Sequence, residues 1–342
     1  MAKLVKEFED FDKNIRITTE ANELRDKRAK LQTDFENKFP DICAENGITI
    51  SKSEIRFIDQ GSYKLNTTIS NKEGSVDRDV AVIFPLDINA HKDPRQLKNY
   101  ARDALKIENI RIPTIKEPCI TIGYHKKDEE YLHIDFPIYA QFNNVLYLAR
   151  GKEFSQLYLW EIADPEGLNE YFLNKLKDNP QLRRIIRYLK KWKQEKYYNS
   201  TNKNEIPPSI ALTLLACEYF IEEKDGSQYD DLYALYNVVD KIVEKFALTY
   251  NGDEIVKAEI NCYLPKQPYS DVFNKLKNSD SYGIGFYKKI KKASEYLRDA
   301  CNVEAEHDAA IYVQKVLGDD FVVPDKAAVA AITTNRKEHG FG

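Results

Sequence analysis

The stretch FIDQGSYKLNTTISNKEGSVDRDVAVIF, Phe57 to Phe84, decides how this chain is read. One apolar run ends on Gln60, Gly61 and Ser62, and fifteen residues after Ser62 the next run sets Asp77 and Asp79 one residue apart among valines. Side chains alternate along a strand with a period of two, so an Asp-x-Asp places both carboxylates on one face. Two carboxylates side by side repel and want a cation. The polar segment between the runs, Ser70–Ser75, reads as a turn.

Outward from this stretch, residues 47 to 150 carry short strand-like runs: ITI, IRFID, VDRDVAVIFPL, PCITIGYH and EYLHIDFPIYAQF, with one helical piece at RQLKNYARDALK. In YLHIDFPIYA, Asp135 shares a face with Tyr131 and His133, while Leu132, Ile134, Phe136 and Ile138 point the other way. If that strand lies beside the one bearing Asp77 and Asp79, three carboxylates converge. Hard oxygens so grouped suit two Mg²⁺ ions, with phosphate oxygens and water completing each octahedron. Such a metal pair activates an attacking hydroxyl and stabilises the departing pyrophosphate of a nucleoside triphosphate. Gly61 then allows close backbone approach, and Ser62 can hold terminal phosphate oxygens. A D-x-D by itself is more often an exposed strand face; the ordered set of Gln-Gly-Ser, Asp-x-Asp and a third acid before Pro137 shifts the balance.

Residues 1–40 read as a packing helix capped at Thr18 or Thr19, with Leu24, Ala29, Leu31, Phe35 and Phe39 as its apolar positions and Pro40 as its end. Beyond about residue 165 the pattern is almost entirely helical, at LRRIIRYLKKWKQ, PSIALTLLACEYFIEE, LYALYNVVDKIVEKF, FYKKIKKASEYLRDA and AEHDAAIYVQKVLG. The expected fold is α+β and two-lobed: a catalytic lobe at 1–165 with a mixed sheet, a helical lobe at 166–325, and a tail at 326–342.

At 342 residues and 42 % hydrophobic content the chain supports sizeable cores, and its net charge of −4 argues against a protein that grips long nucleic acid. Five scattered cysteines without a C-x-x-C pair fit reduced thiols in a cytoplasmic protein, and five histidines without ligand spacing argue against zinc. No apolar run approaches a membrane span, and the opening MAKLVKEFEDFDK is too charged for a signal peptide.

QGSYKLNTTI, VDRDVAV and HIDFP together resemble the nucleotidyltransferase fold of the bacterial CD-NTases, the cGAS/DncV-like cyclic-oligonucleotide synthases, which is shared with oligoadenylate synthetases and poly(A) polymerases and is polymerase-β-like. The resemblance covers most of the chain and implies Mg²⁺ at Asp77, Asp79 and Asp135, with Mn²⁺ as a substitute. LRRIIRYLKKWKQ followed by IPPSIALTLL is similar to the R-x-x-K-x-W helix and the Pro-Pro turn of the oligoadenylate synthetases. This implies nucleotide contacts at Arg187, Lys190 and Ser209, beside those of Gln60, Gly61 and Ser62. Ser209 also stands where a helix N-cap falls, a good place for an anion. Ile210 departs from the pattern, because several relatives carry a base-stacking aromatic there.

The implied activity is template-independent joining of ribonucleotides, ATP and GTP among them, into a cyclic di- or trinucleotide second messenger of antiphage (CBASS) signalling. A linear-oligonucleotide synthase or RNA-tailing enzyme is the alternative, followed by a protein-nucleotidylating enzyme and a silent nucleotide-binding scaffold. The implied partners are nucleoside triphosphates, with no membrane and no long nucleic acid, and the enzyme is expected to be a monomer. Some members have their C-terminus conjugated by ubiquitin-like machinery; Gly342 is compatible with this, though an untethered tail is the simpler reading.

Overall fold

The computed structural model of the chain describes residues 2–70, 76–127, 129–279, 281 and 283–326. Most of the expected turn, 71–75, and the tail from 327 to Gly342 lie outside the described residues. The elements begin with α1 (Val5–Ile15), α2 (Thr19–Glu45), β1 (Arg56–Gln60), α3 (Gly61–Lys64), β2 (Val76–Pro85) and α4 (Pro94–Leu105). There follow β3 (Thr114–Ile115), β4 (Ile120–Lys126), β5 (Glu129–Phe136), β6 (Ile138–Phe142), β7 (Val145–Arg150), β8 (Leu159–Ile162) and α5 (Pro165–Leu176). The remainder is α6 (Pro180–Tyr197), α7 (Ser209–Tyr219), the hairpin β9 (Lys224–Asp225) and β10 (Gln228–Tyr229), and α8 (Asp231–Glu244). It closes with the hairpin β11 (Ala247–Asn251) and β12 (Glu254–Glu259), α9 (Asn274–Lys277), α10 (Ile284–Asn302) and α11 (Glu306–Leu317).

Two compact units result. The sheet unit holds Ile17–Asn174 and Leu264–Ser270. Its mixed sheet runs β3-β4-β5-β2-β6-β7-β8, with β1 also paired to β2. Strand β2 is used twice: Val76–Asp79 pairs in parallel with β5, and Val82–Pro85 pairs in parallel with β6. Pro137, which has no N–H for a ladder, separates β5 from β6, and its carbonyl accepts from the Val82 amide at 2.9 Å. Val80 to Phe84 are fully buried, with Val80, Val82 and Phe84 in the main core and Ala81 and Ile83 in a smaller cluster with Tyr139 and Leu148. Burial on both faces explains why this strand reads as a continuous apolar run rather than an alternating one.

Helix α2 differs from the sequence reading at its end. Pro40 does not stop it, and the helix continues to Glu45 so that Cys43 follows Phe35 and Phe39 into the core. Those two rings stack at 4.5 Å, and Phe39 meets Phe84 of β2 at 5.0 Å. The burial of that stripe outweighs one lost backbone hydrogen bond. Thr18 occupies the N-cap position without making a side-chain cap. The ITI run is not a strand, although Ile48 and Ile50 are buried.

Lys98 of α4 is a fully buried cation. Its Nζ donates to the carbonyls of Lys116, Glu117 and Gly151 at 2.6, 2.8 and 2.7 Å. Burial pushes the ammonium down to about 8. Three carbonyl acceptors match the three N–H donors of the charged form and oppose that fall. The bonds tie the turn between β3 and β4 to the end of β7.

The helical unit comprises the chain up to Arg16, Lys175–Tyr263 and the described residues from Asp271 on. The domain boundary drawn from the sequence puts residues 1–16 with the sheet, whereas the structure puts α1 with the helices. The reason is its apolar face: Phe8 and Phe11 pack on Tyr188 of α6 at 5.3 and 5.5 Å and on Phe321 at 5.0 and 5.3 Å. The helix expected over PSIALTLLACEYFIEE ends at Tyr219, and the two small hairpins interrupt a region read as helical. Among the described residues no helix is long and apolar enough to cross a membrane.

Replacing Lys98 by Met keeps the apolar stem and leaves three buried carbonyls without donors. The expected loss is about 2–4 kcal/mol, read as a lower urea midpoint with an unchanged denaturant slope.

Candidate active site

The parallel pairing of β2 and β5 sets Asp79 directly beside Asp135 and Asp77 beside His133. On the far side of β2, Gln60 of β1 is opposite Asp79, and on the far side of β5, Thr121 of β4 is opposite Asp135. Gln60, Asp79, Asp135 and Thr121 thus form one row across four strands, with Asp77 and His133 in the next row. Asp77, Asp79 and Asp135 are all partly buried. Period-two alternation alone puts the acids on this face and Arg78 on the other.

Arg78 fixes the row from behind. Its guanidinium makes two 2.8 Å hydrogen bonds to the Asp59 carboxylate and stacks at 3.9 Å over the ring of Tyr63. The residue between the two acids therefore clamps the strand before Gly61 and the turn after it. Asn169 of α5 adds a 3.0 Å bond to the Asp59 carbonyl.

Gly61 has a left-handed backbone, φ +66°, and a β-carbon there would overlap Asp79 Oδ2. Only glycine meets both demands without strain. Ser62 follows in the four-residue α3 and shares a 2.9 Å hydrogen bond with the Thr68 hydroxyl. The Gln60 side chain bonds to the phenol of Tyr139, whose pKa is raised by burial and by nearby Asp79 against that bond.

Asp135 is the most heavily surrounded acid. Thr121 Oγ1 donates to its Oδ1, Lys116 Nζ lies 3.9 Å from Oδ1, and His133 Nε2 lies 3.7 Å from Oδ2. Lys116 belongs to the turn that Lys98 grips, so a buried lysine in α4 sets the position of a cation at the acids. Burial, and then the Asp135 charge, pushes the nearby Cys119 thiol up to about 12, which keeps it neutral.

The other residues singled out in the sequence lie in the helical unit. Arg187 is buried and paired with Asp12 of α1 at 2.7 Å. Lys190 is buried at 8 % exposure, so neither side chain belongs to the solvated basic face that a charge run suggests. Ser209 is the first residue of α7, and Pro208, not Ser209, occupies its N-cap. The Ser209 hydroxyl accepts from Lys193 Nζ at 2.8 Å. Sequence reasoning missed Lys193; its spacing of three from Lys190 on one helix was the available signal.

Residues 55–139, which hold β1, β2, β5 and all three acids, match the family described as cyclic GMP-AMP synthase DncV-like, nucleotidyltransferase domain. A curated relative, a cyclic GMP-AMP synthase of Escherichia albertii, is 30% identical over 191 residues. Over this domain the chain is similar to the DncV-like nucleotidyltransferases. That match spans 53% of this chain and 40% of the relative. The Vibrio cholerae DncV cyclic AMP-GMP synthase, a prokaryotic cGAS homolog, shares the fold with a TM-score of 0.67 at 17% identity, over 95% of this chain and 98% of that one. Escherichia coli DncV in its 3′-deoxy GTP-bound form gives 0.64 at 16% identity, over 90% and 93%.

DncV-like nucleotidyltransferases use divalent metals. In this protein no three metal-ligating side chains stand grouped as a finished cage among the described residues. Asp79 is turned over Gly61 and Asp135 toward Thr121. The backbone nevertheless fits the ion: Asp79 and Asp135 are register partners on neighbouring strands, which lie about 5 Å apart. An all-carboxylate set suits a hard divalent cation.

Gly61→Ala must move Asp79 and adopt a backbone that costs about 1–2 kcal/mol for a residue with a β-carbon. The expected outcome is at least tenfold weaker binding of a non-hydrolysable nucleoside triphosphate by calorimetry, with the far-UV spectrum of the parent.

Proposed function

We propose that this protein is a CD-NTase, a template-independent nucleotidyltransferase that converts nucleoside triphosphates into a cyclic di- or trinucleotide, acting as a cytoplasmic signal generator in antiphage defence. The observation that carries the reading is the row Gln60, Asp79, Asp135 and Thr121 with Asp77 beside it, where a glycine leaves room for a carboxylate. The named relatives support it. One is a cyclic GMP-AMP synthase, and the Vibrio cholerae enzyme has been solved with nonhydrolyzable GTP and with the linear intermediate pppA(3′,5′)pG.

Asp77, Asp79 and Asp135 would hold Mg²⁺, or Mn²⁺ in its place, which supplies charge neutralisation at the triphosphate and a more acidic acceptor hydroxyl. Gly61 admits the donor backbone closely, and Ser62 and Gln60 present polar groups to its phosphates. Asp135, on the other side of Asp79 from the Gly-Ser turn, receives the proton of the acceptor ribose hydroxyl. The new oxygen–phosphorus bond forms at the donor α-phosphate as the bond to pyrophosphate breaks, and a second such transfer closes the ring. Positioning and charge account for most of the rate. Lys190 and Ser209 are further phosphate contacts on the resemblance of their helices. Arg187, tied to Asp12, acts through the placement of α6.

The test incubates the purified protein with ATP, GTP, CTP and UTP plus Mg²⁺ or Mn²⁺, followed by phosphatase and mass spectrometry. A phosphatase-resistant cyclic species is expected, whereas linear products place the chain with the oligoadenylate or RNA-tailing branch. Asp77→Asn, Asp79→Asn and Asp135→Asn should each lower pyrophosphate release by roughly a hundred- to a thousandfold while the protein stays folded.

A further inference from the structure

The pairing of β2 fixes where the sheet ends. Asp79 is partnered by Gln60 on one side and Asp135 on the other, and Val82 by Phe57 and Ile138. Strand β1 therefore lies on one side of β2, while β5 and β6 lie end to end on the other. Strands β4 and β7 follow outside them, and β3 and β8 share the outer margin. The loops leading into those two strands carry the four most exposed large apolar side chains among the described residues. These are Ile110 at 81 % and Ile112 at 72 % before β3, and Phe154 at 88 % and Leu157 at 84 % before β8.

Both loops are held in place. Arg111, between the two isoleucines, is buried and bonded to the Leu105 carbonyl and to Asp34, so the charge points in and the hydrocarbon points out. In the second loop Arg95 donates to the Ser155 carbonyl and stacks at 3.9 Å on Tyr158, Arg102 pairs with Glu153, and the Ser155 hydroxyl accepts from the Leu157 amide at 3.1 Å. These charges are satisfied within the chain and offer nothing to a charged ligand. Large apolar groups held outward by buried or paired arginines mark a protein contact.

Strand β8 adds an open backbone edge. The Ala163 amide donates to the Leu146 carbonyl at 3.0 Å. Alternation back along the strand turns Glu161 and Leu159 toward β7 and leaves the N–H and C=O of Trp160 and Ile162 pointing outward. No described strand pairs with them. The edge closes just beyond, where the Asp164 amide donates to the Gln267 carbonyl at 3.2 Å. Strand β3 is guarded by its length of two residues, with Pro113 before it and Lys116 after it. Strand β8 has no proline, and its one charge, Glu161, is bonded to Arg150 at 2.8 Å.

In place of the monomer expected from the sequence, we infer that β8 pairs antiparallel with β8 of a second copy, extending both sheets across a two-fold axis. An open edge takes a strand, and a strand laid antiparallel to itself makes an isologous contact that uses the same patch twice and closes. With the axis at Trp160, Tyr158 of one copy faces Ile162 of the other, both exposed, and Leu159 faces Glu161, so the two Glu161 carboxylates stand apart. Ile110, Ile112, Phe154, Leu157, Leu159 and Ile162 together present on the order of 700 Å² of apolar surface, close to the ~800 Å² that each partner gives to a standard interface.

This inference does not depend on the proposed reaction. The experiment is sedimentation equilibrium of the full chain up to about 100 µM, because interfaces of this area hold with Kd values from micromolar downward. The mass should approach twice 39.7 kDa at the upper end. Ile162→Pro removes an amide that has no partner among the described residues and blocks the new ladder. Leu157→Glu puts a charge into the apolar patch and leaves the edge alone. Each should weaken association at least tenfold with the far-UV spectrum of the parent, and the amides of Trp160 and Ile162 should exchange with deuterium more slowly at the higher concentration. If Ile162→Pro does not fold, Leu157→Glu and the exchange rates carry the test. A parent that stays monomeric throughout, including one whose margin binds an unrelated protein instead, or a dimer that persists in either folded variant, overturns the inference.

Discussion

The parallel ladder between β2 and β5 is the interaction on which the rest of the site depends. It brings two like charges, Asp79 and Asp135, side by side on neighbouring strands, an arrangement that destabilises the fold unless something offsets it. Fully buried Val80 to Phe84 continue the same strand into the core on both faces, and their burial holds the register that the carboxylates oppose. Polar neighbours temper the remainder: Thr121, Lys116 and His133 surround Asp135, while the glycine at 61 gives Asp79 a place to turn. Repulsion confined to a strand end and stability concentrated in its middle is how one strand serves both purposes.

Much of this was legible because it depends only on periodicity. The spacing of Asp77 and Asp79 and the alternation in Tyr131-Leu132-His133-Ile134-Asp135 require no knowledge of neighbours, and each matches the strands observed, whereas the run EYLHIDFPIYAQF, read as one, is divided at Pro137 into β5 and β6. What was not legible depends on three-dimensional partners. Lys98 sits among Asn, Gln and Arg in a helix and looks like any solvated lysine; its burial follows from three carbonyls that lie 18 to 53 residues away. Arg78 reads as a mere spacer between acids until Asp59 and Tyr63 are found beneath it. Helix α2 passed through Pro40 because the phenylalanines ahead of it and Cys43 beyond it share one core.

The helical unit shows the same limit from another direction. A run such as LRRIIRYLKKWKQ has a clear apolar stripe, and its basic residues read as surface. Arg187, Lys190 and Lys191 are instead buried, with Arg187 paired to Asp12 and Lys191 to Glu195 and Asp320. Cations enter such an interior only when acids from distant segments meet them. One of those segments is α1, which a linear reading assigns to its sequence neighbours.

The Asp12–Arg187 pair spans 175 positions, which gives the order of synthesis a physical meaning. Helix α1 leaves the ribosome with its apolar face and its buried acid directed at residues not yet made. Long-range closures of this kind come late, because chain entropy must be overcome before the contact returns anything. Residues 17–174 can complete their own sheet while α1 waits, so the nascent chain carries an unshielded amphipathic segment until α6 and Phe321 emerge. That interval is when the newborn protein is most exposed to aggregation and to chaperones.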